Sequence, residues 1–111
     1  MSETKSTLHV TDATFTSTIE EAEGLAIVDF WAAWCGPCRI VGPIVDQLAV
    51  DYAGKGVTVA KVDVDQNPRV TSRFGVRSIP SILFFKGGSL VDTVVGAVPR
   101  AQLEKKILEH L

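Results

Sequence analysis

Cys35 and Cys38 are the only cysteines in the chain and stand in a single C-x-x-C. Sulfur reacts as the thiolate. The first cysteine of such a pair, placed at the mouth of a helix, faces unpaired backbone N–H groups and the positive end of the helix dipole, and both stabilise the anion. Cys35 is therefore the candidate nucleophile. Cys38, three residues on and one turn into the helix, faces the same side and can attack a mixed disulfide formed on Cys35. Buried at rest, it would stay inert until needed. Between them, Gly36 permits close backbone approach and Pro37 fixes φ, a combination that predicts a rigid, open turn with an accessible Cys35.

Other uses of the pair fare worse. A zinc site needs four ligands, yet the only histidines, His9 and His110, lie near opposite ends of the chain. Covalent haem attachment wants histidine directly after the second cysteine, where this chain has Arg39. A structural disulfide closing so short a loop contributes only about 2 kcal/mol in the chain-entropy model. Two core cysteines that happen to lie three apart remain open on the residues alone.

The elements that must position these sulfurs are legible. Leu8 to Val10 reads as a short strand, and Thr11 or Asp12 can cap a helix to about Ala22 with Phe15, Ile19 and Ala22 on one face, ended by Gly24. Leu25 to Trp31 is nearly continuous apolar sequence and predicts a central strand covered on both faces. After the cysteines, Ile40, Val41, Ile44, Val45 and Leu48 recur at helical spacing as far as Tyr52, with Pro43 expected to kink the helix near its start. Val57 to Val64 reads as a strand, and Asn67-Pro68 as a helix start with a capping side chain and proline at the first position. Ser81 to Lys86 and Leu90 to Val95, separated by Gly87-Gly88-Ser89, predict an antiparallel hairpin. Pro99 opens a last helix, with Leu103, Ile107, Leu108 and Leu111 as its apolar face and Arg100, Gln102, Glu104, Lys105 and Glu109 as its wet one. The expected fold class is α/β, a mixed sheet with helices on both faces in the order βαβαβαββα.

Two charges interrupt the strands. Asp29 lies inside the apolar run, where burial would raise its pKa toward the range useful for proton transfer; an edge carboxylate in water is the alternative. Lys61 shares a face with Val59 and can approach Asp29 from the neighbouring strand, or snorkel its ammonium to solvent. Ile79-Pro80 ends a connection and begins a strand, a position where proline is tolerated. Trp31 reads partly as core, while Trp34 abuts Cys35 and is expected to shield the sulfurs.

Trp34-Cys35-Gly36-Pro37-Cys38 resembles the signature of the thioredoxin family, and the resemblance runs from about Leu8 to Leu111. It takes in Val28 to Ala32, Pro43, Asp63 to Pro68, Ile79-Pro80, Phe85 to Gly88 and Gly96. It implies a single thioredoxin domain over residues 1–111 and dithiol–disulfide exchange with protein substrates. It also implies that Asp29 is the buried acid that helps deprotonate Cys38, that Lys61 is its lysine neighbour, and that Pro80 is a cis-proline beside the disulfide. Trp34, Gly36, Pro37, Ile79, Val95, Gly96 and Ala97 would form the flat apolar surface that receives partners. The backbone of Ile79 would be left to pair with an extended substrate segment.

No bound cofactor is implied, since the two sulfurs store the electrons. These would come from NADPH through a flavin-containing thioredoxin reductase, and ribonucleotide reductase, peroxiredoxin and methionine sulfoxide reductase are the family's typical clients. Ser78, Ser81 and Pro99 depart from the family pattern, which often has glycine, threonine and a capping serine there. An oxidase or isomerase of the same fold would usually carry a different dipeptide, often with histidine, between its cysteines. A non-enzymatic partner-binding module is the other alternative.

The chain has 111 residues, 46% of them apolar and 22% charged, ordinary for one globular unit. Its 11 basic and 13 acidic residues are dispersed, which leaves no footprint for nucleic acid or an anionic membrane. Met1 to Thr11 is polar and has no secretory core, so a cytoplasmic location is the expectation, and a monomer is expected beside it.

Overall fold

The computed structural model describes residues 7–111. The polar N-terminal stretch noted above falls largely outside the described residues. Five strands form one sheet in the order β1-β3-β2-β4-β5: β1 Thr7–His9, β2 Leu25–Trp31, β3 Val57–Asp63, β4 Ser81–Lys86 and β5 Ser89–Val95. Strands β1, β3 and β2 run parallel, while β4 and β5 join antiparallel. The helices are α1 Cys38–Asp51, α2 Pro68–Arg73 and α3 Arg100–His110.

Parity along β2 divides the core. Leu25 and Ile27 pack with Val41, Val45 and Leu48 of α1 and Leu103 and Ile107 of α3, whereas Ala26, Val28 and Phe30 pack with Phe15, Ile19 and Val70 on the other face. Helices therefore cover both faces, and β2 is apolar almost throughout because neither face meets water. Asp29 belongs to the α1 face by the same alternation, and this is what puts a carboxylate beneath the cysteine helix.

Several local expectations need correction. The segment after β1 is a π-helix over Thr16–Glu20 and not an α-helix from a Thr11 or Asp12 cap. Its Glu21 N–H reaches back five residues to the Thr16 carbonyl. Asp12 instead caps α2: its carboxylate accepts the Val70 N–H at 2.8 Å and the Arg69 N–H at 3.2 Å. Asn67 makes no cap bond, since its side-chain oxygen accepts the Asp12 N–H. A tertiary partner thus does what the adjacent residue was expected to do. Pro99 stands at the N-cap of α3 in extended geometry and is not the first helical residue. Leu108 and Leu111 are exposed, which leaves Leu103 and Ile107 as the buried face of α3. The β4–β5 loop is two residues and not three, because Lys86 pairs with Ser89. Gly87 and Gly88 have φ of +58° and +85°, as a type I′ hairpin requires.

Candidate active site around the cysteine pair

β2 ends beneath the site, and the chain turns through Ala32 to Trp34 before α1 begins at Cys38. The Cys35 N–H donates to the Ala32 carbonyl, which sets the turn. Cys35 and Cys38 are joined as a disulfide, with Cα atoms 5.3 Å apart. The Cys38 backbone N–H, one of the first-turn donors that α1 cannot satisfy internally, points at Cys35 Sγ at 3.2 Å. A thiolate on Cys35 would find this hydrogen bond and the helix dipole already in place.

In the oxidised pair Cys35 is 3% exposed and Cys38 5%, so the expected contrast between an accessible first and a buried second cysteine is absent. Both pack with Ala32 against Trp31, Val64 and Ile79, and the Ile79 carbonyl oxygen lies 3.8 Å from Cys35 Sγ. Gly36 and Pro37 are exposed, and a Cβ added at Gly36 would meet no atom within 4 Å. Close approach within this chain therefore does not explain that glycine. The Ile79–Pro80 bond is cis, and the Gly96 N–H donates to the Pro80 carbonyl at 2.9 Å. Gly96 has φ +102°, a conformation that other residues rarely adopt. Trp34 is 69% exposed and stands outside the core; its indole N–H donates to Asp65 at 2.8 Å. Asp65 sits in the turn after β3, and nothing in its sequence spacing marks it.

On the other side of the sulfurs a cleft of about 360 Å³ is lined by His9, Asp29, Trp31, Cys38, Arg39 and Lys61, together with Ala32, Ala33 and Gly42. Register explains the floor: His9 pairs with Lys61 and Lys61 with Asp29, one row across three parallel strands. Asp29 is fully buried, and neither carboxylate oxygen has a hydrogen-bond partner among the described residues. Burial pushes its pKa up to about 7, opposed by the Lys61 charge and assisted by that of Asp46. Lys61 is 2% exposed, so the snorkelling alternative is excluded. Its ammonium lies 3.0 Å from Asp46 Oδ1 on α1. Asp46 also accepts the Thr7 hydroxyl at 2.9 Å. Sequence reading passes over Asp46, although it stands two turns beyond Cys38 on the buried stripe of α1, where a charge is unexpected.

The arrangement can make, break and re-form a disulfide beside a group that titrates near neutrality. The thioredoxin family model matches residues 6–109. Thioredoxin 1 of Nostoc sp. (strain PCC 7120) is 51% identical over 102 residues, 92% of this chain and 94% of that protein. The thioredoxin of Chlorobaculum thiosulfatiphilum is 48% identical over 91% of this chain and 93% of its own. Thioredoxin 1 of Synechococcus elongatus is 52% identical over 92% and 94%. With a disulfide at a helix mouth and similarity that covers more than nine-tenths of each chain, the chain belongs to the thioredoxin family and is a protein-disulfide oxidoreductase.

Proposed function

We propose that this chain works as a general reductant of protein disulfides, with Cys35 as nucleophile and Cys38 as resolving cysteine. The observation that carries the assignment of roles is the Cys38 N–H aimed at Cys35 Sγ, which favours negative charge on the first sulfur. The Cys35 thiolate attacks one sulfur of a client disulfide; that bond breaks, a Cys35–client disulfide forms, and the released client sulfur takes up a proton. Cys38 then gives its proton to Asp29 and attacks Cys35 Sγ. This closes the Cys35–Cys38 disulfide and frees the second client thiol. The client has gained two electrons from the pair and two protons, one that left Cys38 by way of Asp29 and one from solvent that balances the proton Cys35 released on becoming a thiolate.

Lys61 tempers the charge on Asp29. Clients lie on Trp34, Gly36, Pro37, Ile79, Pro80 and Gly96 with the exposed Val95, and an extended client segment pairs with the backbone of Ile79 by strand addition. The dithiol is restored by a flavin-containing thioredoxin reductase drawing on NADPH, which makes the chain an electron carrier to clients of the ribonucleotide reductase, peroxiredoxin and methionine sulfoxide reductase kind. We place it as a single-domain monomer in the cytoplasm. Among the described residues no helix is long and apolar enough to cross a membrane, and the name of the pea relative, Thioredoxin M-type, chloroplastic, at 44% identity, makes fractionation the test of that placement.

Cys35→Ser is expected to abolish insulin-disulfide reduction, and Cys38→Ser to accumulate clients covalently on Cys35, seen as bands that vanish with reductant. Retained turnover in Cys35→Ser, or trapping on Cys38 in its place, overturns the assignment.

A further inference from the structure

Resting on the reading of Asp29 as the base for Cys38, we propose that Asp46 is a positioning residue for the resolving step: by holding the Lys61 ammonium it offsets the cation beside Asp29 and leaves Asp29 able to accept the Cys38 proton. Cys38, Gly42 and Asp46 are spaced four residues apart and form one stripe of α1 over the row His9, Lys61 and Asp29. Gly42 lines the cleft together with Cys38 and Lys61.

Lys61 is the only cation among the buried described residues, and two buried carboxylates share its surroundings. They are not equivalent. Asp46 has an ion pair at 3.0 Å and the Thr7 hydroxyl on the same oxygen. Asp29 accepts no hydrogen bond from the described residues. With its charge answered by Asp46, Lys61 presents Asp29 with a nearly neutral pair. Without Asp46, the same ammonium would bring more of its charge to bear on Asp29 across the strands and would hold it ionised to lower pH. A carboxylate held in that way is a weaker base for the Cys38 proton. The remaining groups about Asp29 are His9 from β1 and Cys38 and Arg39 from α1, while β4 offers the uncharged Ile82 opposite it.

The test is the Asp29 side-chain carboxyl titration by carbon NMR in the reduced protein, read beside the pH profile of Cys38 attack on a preformed Cys35 mixed disulfide. Asp46→Asn, which keeps the shape, is expected to lower the Asp29 midpoint by roughly one unit or more and to carry the rate profile with it. Asp46→Ser repeats the measurement should the amide variant fail to fold. In a Lys61→Met background, where no ammonium is left to bear on Asp29, Asp46→Asn is expected to move the midpoint less, by the direct charge of Asp46 alone. An unmoved midpoint in the Lys61 protein overturns the proposal, as does an equal shift in both backgrounds, which would mean that Asp46 acts without Lys61. A midpoint that moves while the rate profile stays supports the charge balance but overturns the role in the resolving step, because it removes Asp29 as the base.

Discussion

The molecule assembles similar side chains twice on its sheet. Beneath the disulfide, Asp29, Lys61 and Asp46 are buried; between β5 and α3, Asp92 is bracketed by Lys106 at 3.0 Å and His110 at 3.0 Å on a partly exposed edge. The carboxylates behave oppositely. Hydrogen bonds from His110 and Lys106 hold Asp92 below the usual carboxylate range, whereas burial without a hydrogen bond lifts Asp29 to about 7. Composition does not separate the two groups, since each sets acids beside a lysine. What separates them is whether water and donors reach the carboxylate, and only the dry one stands at the sulfurs with a pKa suited to moving a proton.

The contrast breaks most visibly at Asp29. Asp29→Asn is expected to slow Cys38 attack on a mixed disulfide at pH 7 by roughly 10²–10⁴-fold, the ordinary worth of a positioned base, while leaving the first attack by Cys35 intact. Stopped-flow on the two half-reactions would separate them; equal slowing of both steps would deny Asp29 a role particular to Cys38.

The same variant sharpens the contrast in stability. A carboxyl whose pKa rises from 3.8 unfolded to about 7 folded favours the native state fully below pH 4, and that contribution is lost as pH climbs to 7. The linkage amounts to roughly 4 kcal/mol at most. Asp29→Asn should therefore be more stable than the parent at pH 8, with a gap that narrows on acidification, as denaturant titrations across pH would show. Asp92 has the opposite sign, its contribution being present at neutral pH and lost as pH falls through its lowered folded pKa.

The smallest effect belongs to that edge. Asp92→Asn is expected to cost at most about 1 kcal/mol, diminished by salt, with unchanged disulfide reduction. A large loss of activity there, measured by insulin-disulfide reduction, would mean that the two groups are coupled.

Much of the molecule is legible in the sequence where local pattern and tertiary structure agree. The apolar run of β2 predicts a doubly covered strand with Asp29 inside it, and the C-x-x-C ahead of an amphipathic stretch predicts a helix with sulfur at its mouth. Illegible features depend on distant partners. Asp12 looks like a cap for its own segment but bonds the first turn of α2, 57 and 58 residues away. Asp46 looks like one polar position in a helix until the fold brings Lys61 against it. Trp34 abuts Cys35 in sequence, but its hydrogen bond to Asp65 is supplied only by the β3–α2 turn. Cys35 is expected to be open, and packing with Ile79 and Ala32 closes it in the disulfide form.

The most direct test of the proposed reductant is the equilibrium reduction potential of the Cys35–Cys38 pair against a defined thiol buffer, followed through Trp34 fluorescence. A reductant should poise near about −270 mV, the value characteristic of the thioredoxin family as a whole. A potential between about −180 and −120 mV, where isomerases and oxidases lie, would contradict the assignment.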